Sequence, residues 1–243
     1  MKGYDARTYG DLIADVYDEL YEELDPAAAV EVLAALAGGG PALELAIGTG
    51  RIALPLAERG VEVHGIDVSE AMVERLRAKP GGDSIPVTMG DFADVGVEGR
   101  FSLVFIVFNT FFALTSQEEQ VRCFANVAAK LSEGGVFALE LFVPDVARFE
   151  RHQSVSAPRV ELDRVILDVA RHEPLTQRIE AQLVSLTPGG VRLDPMHIRY
   201  AWPAELDLMA RLAGLRLRER WGDWDRSAFT AESGKHVSVY ELA

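Results

Sequence analysis

The sequence has little cysteine, few positive charges and no long apolar run. Its 243 residues include one cysteine, Cys123, and 24 Lys and Arg against 38 Asp and Glu, a formal net charge of −14. A single cysteine excludes an internal disulfide and a cysteine-based metal site, and a cytoplasmic location is expected. The negative charge disfavours nucleic acid as a partner. No apolar run reaches the ~18 residues of a membrane span, so we expect no membrane partner.

Metal ligands are also sparse. Four of the five histidines lie at positions 152, 172, 197 and 236, and no pair has a reliable metal-binding spacing with carboxylates, so no metal is predicted. His152 and His172 are candidate catalytic residues, with a surface or structural role as the alternative.

Residues 42 to 143 alternate between short apolar runs and amphipathic stretches. Strands are predicted at 42–47, 61–66, 85–89, 101–108 and 136–143, and helices at 51–59, 69–79 and 116–131. Such alternation is typical of a parallel sheet with helices on both faces. Upstream, an N-terminal helix is predicted over 11–24, with Leu12, Val16 and Leu20 facing inward, and a second helix runs from Asp25-Pro26 to the glycines at 38–40.

The pattern changes after Pro144. Period-two segments over about 155–201 predict an antiparallel sheet inserted into the α/β domain. A helix at 203–213 and two strands at 215–221 and 236–242 follow, too close together for a helical crossover, so these strands should pair antiparallel. We therefore expect an α/β, Rossmann-like, doubly wound seven-stranded sheet with a reversed final hairpin, formed by residues 1–150 and 202–243. Residues 151–201 would form a β lid after strand five, and the oligomeric state is not predicted.

The segment "ALELAIGTGRIALPLAERG", residues 42 to 60, is a strand, a Gly-x-Gly turn and a helix. Glycine permits a sharp turn and lets a ligand approach the backbone. Asp67 ends the next strand, where a carboxylate can accept from two ribose hydroxyls. Gly48 to Ala53 also matches G-x-G-x-x-A, so the loop alone fits NAD or another adenosine cofactor.

Further motifs separate these cofactors. An acidic residue precedes the glycine loop in Glu44-Leu-Ala46-Ile-Gly48-Thr-Gly50, and "VHGIDVSEAM", "MGDFADV", "VFNTFFAL" and "LSEGGVFALELF" follow in order. Together they resemble the class I S-adenosylmethionine-dependent methyltransferases over about residues 11–143 and 203–243. The segment "ADVYDELYEE" is similar to the N-terminal helix of small-molecule methyltransferases of natural-product pathways, including amino-sugar N,N-dimethyltransferases, which also carry an antiparallel lid.

The resemblance implies S-adenosylmethionine as cofactor and S-adenosylhomocysteine as product. In its terms Asp67 binds the ribose, Asp91 and Phe92 the adenine, and Tyr17 the methionine carboxylate. Helix capping for Asp67, a turn for Asp91, packing for Tyr17 and a salt bridge for Arg51 are the alternatives. The predicted cofactor-binding residues are Tyr17, Glu44, Ala46, Gly48, Gly50, Arg51, Asp67, Val68, Met72, Asp91, Phe92 and Phe108.

The acceptor site is expected beyond the carboxyl ends of the strands. Asn109, Phe112, Trp224 and Arg226 are the candidate substrate-binding residues, and Asn109 is also a candidate catalytic residue; packing or loop capping is the alternative for each. The expected function is methyl transfer to an O, N or C nucleophile of a small-molecule acceptor by in-line displacement. A nicotinamide-dependent oxidoreductase and a non-catalytic cofactor-binding regulator are the rival hypotheses.

Overall fold

The computed structural model describes residues 3–243, which form two β-sheets and seven α-helices. The helices are α1 Thr8–Ile13, α2 Tyr17–Leu20, α3 Ala27–Ala37, α4 Ala53–Glu58, α5 Glu70–Arg77, α6 Gln117–Lys130 and α7 Pro203–Leu212. The strands are β1 Ala42–Leu45, β2 Val63–Asp67, β3 Val87–Met89, β4 Phe101–Ile106, β5 Leu131–Phe142, β6 Gln153–Val160, β7 Val165–Glu173, β8 Arg178–Thr187, β9 Gly190–Arg199, β10 Leu215–Trp221 and β11 Lys235–Leu242.

The main sheet has seven strands in the order β3-β2-β1-β4-β5-β11-β10. The strands from β3 to β5 are parallel, and β11 pairs antiparallel with both β5 and β10. The predicted Rossmann-like sheet with a reversed final hairpin is confirmed. Its carboxyl-terminal edge collects the ends of β1, β2, β3, β4 and β5, which is where ligands bind in such sheets.

Apolar side chains cover both faces of this sheet. On one face Phe124 of α6 and Leu206 of α7 pack with Phe137 and Tyr240, and on the other Leu33 of α3 and Leu56 of α4 pack in a second buried cluster. The start of α6 is stabilised by a capping box between Ser116 and Glu119. A three-layer α/β core therefore holds the strand ends in fixed positions.

The predicted antiparallel sheet after β5 is confirmed, and it has four strands in the order β6-β7-β8-β9. Alternate residues of its strands, among them Ala170, Ile179 and Ala181, belong to the same buried cluster as Phe124 and Tyr240. The inner face of the insertion is thus part of the main core, and its outer face is turned away from it.

The prediction of one continuous N-terminal helix over 11–24 is wrong. The chain forms two short helices, α1 and α2, and Leu12 is half exposed. Ile13 and Ala14 are instead buried against Met72 of α5. Tertiary packing on the end of α5 therefore decides which face is buried, since six- and four-residue helices have little stability of their own.

Candidate active site

The glycine loop after β1 combines tight packing with an open backbone. Gly48 and Gly50 have φ of 56° and 80°, in the left-handed region that favours glycine. A Cβ on Gly50 would lie 2.3 Å from the Leu76 side chain, whereas one on Gly48 would have only a carbonyl oxygen at 4.0 Å. Gly50 therefore serves close packing on α5, and Gly48 leaves room for a ligand against the backbone.

Asp67 ties the glycine loop to the end of β2. Its two carboxylate oxygens accept from Gly48 N at 2.7 Å and from Ser69 N at 2.9 Å. Burial raises the pKa of Asp67, although these backbone donors oppose that shift. Because each carboxylate oxygen has more than one acceptor position, Asp67 still has the capacity to bind ribose hydroxyls.

Two buried polar atoms beside this loop, one a hydrogen-bond acceptor and one a donor, have no partner within residues 3–243. They are Glu44 Oε2 and Arg51 Nη1. Burial, and then the nearby Asp67 carboxylate, raise the pKa of Glu44 well above its usual range. Unpaired buried polar atoms are costly, so they indicate a ligand that supplies a donor to one and an acceptor to the other. The ammonium and carboxylate of an amino acid moiety, as in S-adenosylmethionine, fit this pair.

Tyr17 and Phe108 adjoin the same pair of residues. The Arg51 guanidinium lies 4.2 Å above the centre of the Phe108 ring, and its Nη2 donates to the carbonyl oxygen of Leu24. Burial raises the pKa of the Tyr17 hydroxyl, and the charges of Arg51 and Glu44 also act on it. The structure thus brings four of the predicted cofactor residues into one cluster.

Polar contacts that were not predicted from the sequence hold the N-terminal segment, residues 8–24, against the glycine loop and the start of α5. Asp18 accepts from Thr49 Oγ1 at 2.7 Å and pairs with Lys79 Nζ at 2.7 Å. Asp11 accepts from Ser69 Oγ at 2.6 Å. These partners are 31 to 61 positions apart in sequence, so no local pattern indicates them.

The adenine side of the predicted site lies at the ends of β2 and β3. Asp91 and Phe92 are half-buried just after β3, and Asp91 Oδ1 accepts from Ala93 N at 2.8 Å. Met72 is buried against Ile13 and Ala14 rather than open to solvent. The predicted roles of Asp91 and Phe92 toward adenine, and of Met72 and Val68 in cofactor binding, stay predictions.

The turn after β4 is strained and is held by β5. Phe108 and Asn109 both have left-handed φ, of 56° and 64°, which is uncommon for residues other than glycine. Phe108 N donates to Glu140 Oε2 at 3.2 Å, and Phe142 N donates to Asn109 Oδ1 at 2.6 Å. The Asn109 side chain therefore ties this turn to the end of β5. Glu140 is a positioning residue that was not predicted from the sequence. The available signal was a carboxylate inside the apolar run "VFALELFV", as with Glu44 in β1.

Of the other predicted acceptor residues, Phe112 and Trp224 are buried and Arg226 is exposed. Phe112 is fully buried, with its ring 4.9 Å from that of Phe142, and Trp224 is buried in the cluster around α3. Arg226 is exposed, with its guanidinium 4.9 Å above the Trp221 ring. Their contacts are those of the packing alternative, and their roles toward an acceptor stay predictions.

His152 and His172 lie together in the insertion, with ring centres 6.4 Å apart. His172 is buried, shares a hydrogen bond of 2.9 Å with the Tyr200 hydroxyl and stacks on Phe149. Burial lowers the pKa of His172, which favours its neutral form. The contacts of these histidines thus lie within the insertion and with Phe149, and a catalytic role for either stays a prediction.

The fold and the site define a class of protein. A seven-stranded sheet with a reversed final hairpin, a glycine loop after β1 and an acidic residue ending β2 are the features of the class I S-adenosylmethionine-dependent methyltransferases. Comparison with known proteins shows that the chain belongs to this family and uses S-adenosylmethionine. Residues 42–135 match the model of the methyltransferase domain.

The individual relatives are similar over almost the whole chain. The structure of the CcbJ methyltransferase from Streptomyces caelestis is 44% identical and matches 99% of this chain and 100% of its own, with a TM-score of 0.93. The cypemycin N-terminal methyltransferase from a Streptomyces species is 29% identical over 98% of both chains. An S-adenosylmethionine-dependent methyltransferase from Clostridium acetobutylicum, 13% identical, shares the fold over 95% of this chain and 98% of its own, with a TM-score of 0.80.

Residues 3–243 contain neither a metal-binding cluster nor a membrane-spanning helix. Over residues 3–243, no cluster of three or more His, Cys, Asp and Glu side chains is arranged to bind a metal ion. In the same range, no helix combines the length and the apolar character needed to cross a membrane.

Proposed function

We propose that this methyltransferase transfers the methyl group to an amine nitrogen of a small organic acceptor, beneath the insertion sheet. The observation that carries the proposal is the pairing of the insertion's arginines with carboxylates of the chain itself. Four such pairs have N···O distances of 2.7 to 3.4 Å: Arg159–Glu23, Arg164–Glu19, Arg192–Asp15 and Arg199–Glu205. Arg178 also donates to the carbonyl oxygen of Thr115.

These pairs bear on the charge of the acceptor. An anionic acceptor would need unpaired cations, and here it would have to compete with a protein carboxylate for each of these four arginines. An acceptor that is neutral, or cationic before it loses a proton, needs no such group. The net charge of −14 acts in the same direction. The name of the cypemycin relative, an N-terminal methyltransferase, gives independent support, since a peptide N-terminus is an amine.

Methyl transfer to an amine depends more on how the acceptor and the methyl group are positioned than on proton transfer to a side chain. When bound, S-adenosylmethionine supplies an electrophilic methyl group on a sulfonium. Glu44, Arg51 and Asp67 would hold its amino acid and ribose parts, while Glu140 and Asn109 hold the turn after β4. The insertion would exclude water above this turn. An amine that arrives neutral has a lone pair and needs no general base in the methyl-transfer step.

A labelled-methyl screen tests the proposal. Full-length protein would be incubated with labelled S-adenosylmethionine and panels of primary and secondary amines, phenols, carboxylates, RNA and protein. We expect transfer to amines, with kcat/KM rising as pH increases toward the acceptor's amine pKa. Transfer to carboxylates alone would contradict the charge argument, and transfer only to RNA or protein would overturn the small-molecule assignment.

A further inference from the structure

Two arginines of the insertion differ from the others in having no ion-pair partner. Residues 151–201 contain seven arginines. Five of them bind a carboxylate or a carbonyl oxygen of the chain itself: Arg159, Arg164, Arg178, Arg192 and Arg199. Within residues 3–243, the remaining two, Arg151 and Arg171, pair with no carboxylate, and both are exposed. These two guanidinium groups therefore have donors to offer to a ligand.

Arg151 and Arg171 line the same pocket, together with two histidines. The pocket has a volume of about 350 Å³ and lies at the edge of the insertion sheet, where β6 begins and β7 ends. His152 and His172 belong to its lining. Four basic residues thus meet at one place on a chain whose net charge is −14.

The carboxylates nearest to these basic residues are bound elsewhere. Glu173 also lines the pocket, but its Oε1 accepts from Leu175 N at 3.1 Å. Glu180 lies opposite Arg171 across the β7–β8 pair, and its carboxylate is 3.7 Å from His197 Nε2. The positive charge of the pocket is therefore not neutralised by an ion pair to either arginine.

The turn that carries Arg151 and His152 has an uncommon backbone conformation. Both residues have left-handed φ, of 49° and 65°, and the flanking Glu150 and Gln153 exchange backbone hydrogen bonds of 2.9 and 3.0 Å. A two-residue turn with positive φ at both central positions usually takes Asn, Asp or Gly. Two bulky basic residues in such a turn carry local strain, a feature that is concentrated at functional sites.

The histidines contribute hydrogen-bonding groups beside the arginines. The backbone N of His172 donates to the carbonyl oxygen of His152 at 2.9 Å, and the ring centres are 6.4 Å apart. His172 Nε2 is 2.9 Å from the Tyr200 hydroxyl. Burial raises the pKa of Tyr200, so this hydroxyl keeps its proton and can donate to Nε2. Nδ1 of a neutral His172 ring is then the nitrogen that carries a proton for a ligand.

We propose that this pocket binds a phosphate group. Two guanidinium groups supply paired N–H donors in the planar geometry that matches phosphate oxygens. A phosphate monoester carries about 1.5–2 negative charges near pH 7, so it gains more from two arginines than a carboxylate with one charge does. The volume holds either inorganic phosphate or the phosphate end of a small molecule. The lining residues lie within 151–153 and 171–174, outside the glycine loop and the turn after β4, so this site is separate from the cofactor cluster.

Calorimetric titration of full-length protein with inorganic phosphate, at constant ionic strength, tests the proposal. We expect a Kd of about 1 mM, the range for a few charge-assisted hydrogen bonds at an open site. The double variant Arg151→Gln/Arg171→Gln should weaken binding by about tenfold or more. The matched control Arg216→Gln/Arg218→Gln removes two exposed arginines of β10, which pair with Glu241. It loses the same charge and should bind phosphate as the wild type does.

Nuclear magnetic resonance locates the site independently. The ring resonances of His152 and His172 should shift on adding phosphate, whereas that of His64, on β2, should not. Each variant is also checked for an unchanged thermal shift on adding S-adenosylhomocysteine, which shows that it is folded.

Titrations with glycerol 3-phosphate and with acetate identify the ligand class. Tighter binding of the monoester than of inorganic phosphate would assign the pocket to a phosphorylated small molecule, and equal or weaker binding would assign it to the free anion. Acetate that binds as tightly as phosphate would overturn the proposal. So would the absence of phosphate binding, an unchanged affinity in Arg151→Gln/Arg171→Gln, an equal loss in the control, or shifts confined to other histidines. None of these results depends on which acceptor is methylated.

Discussion

Among the single residues of this protein, two carboxylates are buried within strands of the main sheet. Glu44 is 3% exposed in β1 and Glu140 9% exposed in β5, and each interrupts a run of apolar residues. Glu140 is satisfied by Phe108 N and Lys235 Nζ, but Glu44 keeps one oxygen unpaired over the described chain. A buried acceptor without a partner lowers stability, and its retention beside Gly48 is consistent with a role in binding.

The substitution Glu44→Gln should stabilise the unliganded protein and weaken cofactor binding. The folded pKa of Glu44 is raised, so its favourable contribution is complete below its unfolded pKa of about 4.5 and is lost as pH rises through the folded value. Glutamine carries no such charge, so the variant's advantage in unfolding free energy should grow from pH 5 to pH 8. Its affinity for S-adenosylmethionine should fall at least tenfold.

Urea unfolding across this pH range and calorimetric titration check both effects. The control is Glu58→Gln at the exposed end of α4, which should change neither quantity. Unchanged cofactor affinity in the Glu44→Gln variant would remove Glu44 from the site.

His236 should make the protein sensitive to acid. It is fully buried on β11, and burial, followed by the Arg220 guanidinium, lowers the pKa of His236 to about 4. Between the unfolded value of 6.5 and this value the unfolded chain binds the proton and the folded chain does not, so stability falls as pH falls through that window. The loss attributable to His236 is up to about 3 kcal/mol.

The variant His236→Leu cannot titrate and should lose less stability than wild type between pH 6.5 and pH 4. Urea unfolding at both pH values gives the comparison, and the exposed His152→Leu serves as control. Equal acid losses in wild type and His236→Leu would contradict the assigned pKa.

At the scale of elements, the N-terminal segment joins the cofactor loop to the insertion. Asp15, Glu19 and Glu23 recur at every fourth position and pair with Arg192, Arg164 and Arg159, while Asp18 between them binds Thr49 and Lys79. The N-terminal segment therefore contacts the insertion through Asp15, Glu19 and Glu23, and the region of the glycine loop through Asp18. Exposed pairs of this kind contribute about 0.2–1 kcal/mol each and are screened by salt.

Breaking one of these ion pairs should weaken the attachment of the N-terminal segment to the insertion, and so speed release of the bound cofactor product. Glu19→Arg should raise the dissociation rate of S-adenosylhomocysteine two- to fivefold at low salt, and Glu19→Arg/Arg164→Glu should restore it. High salt should reduce the difference between wild type and Glu19→Arg. Stopped-flow displacement measures the rates, with Glu241→Arg, which reverses a pair on β11 with Arg216, as the control. No effect of Glu19→Arg, or no rescue, would show that these ion pairs do not restrain the segment.

At the scale of the whole molecule, the insertion and the α/β body share one core. Ala170, Ile179 and Ala181 of the insertion are buried in the cluster that contains Phe124 and Tyr240. Buried polar contacts reinforce this junction, since Arg199 of β9 bonds Gln120 of α6 at 2.5 Å and Glu205 of α7 at 2.7 Å. The two sheets are therefore expected to unfold together.

Calorimetry should show one cooperative transition whose van't Hoff and calorimetric enthalpies agree. S-adenosylhomocysteine at about 100 times its Kd should add about 2.7 kcal/mol, which for a chain of this size raises Tm by roughly 5–10 °C. A second, ligand-independent transition at lower temperature would show instead that the insertion unfolds separately.

Local sequence patterns specify the order of helices and strands in the α/β domain, the glycine loop, and the acidic residues Glu44 in β1 and Asp67 at the end of β2. These features depend on periodicity and on backbone conformations that neighbouring residues specify, and the motifs after them identified the family. The local pattern fails at the N-terminus. There α1 and α2 are short, and packing on Met72 determines which residues are buried.

The pairing of distant polar groups depends on the packing of the whole fold. Arg159, Arg164 and Arg192 meet carboxylates 136 to 177 positions away, and Phe108 N meets Glu140 across 32 positions. A chain with 38 Asp and Glu offers each of these arginines many possible partners, and no local sequence pattern indicates which carboxylate it pairs with. The choice follows from where two elements come to lie after the apolar core has formed, since burial, and not the ion pair itself, supplies most of the energy that brings them together.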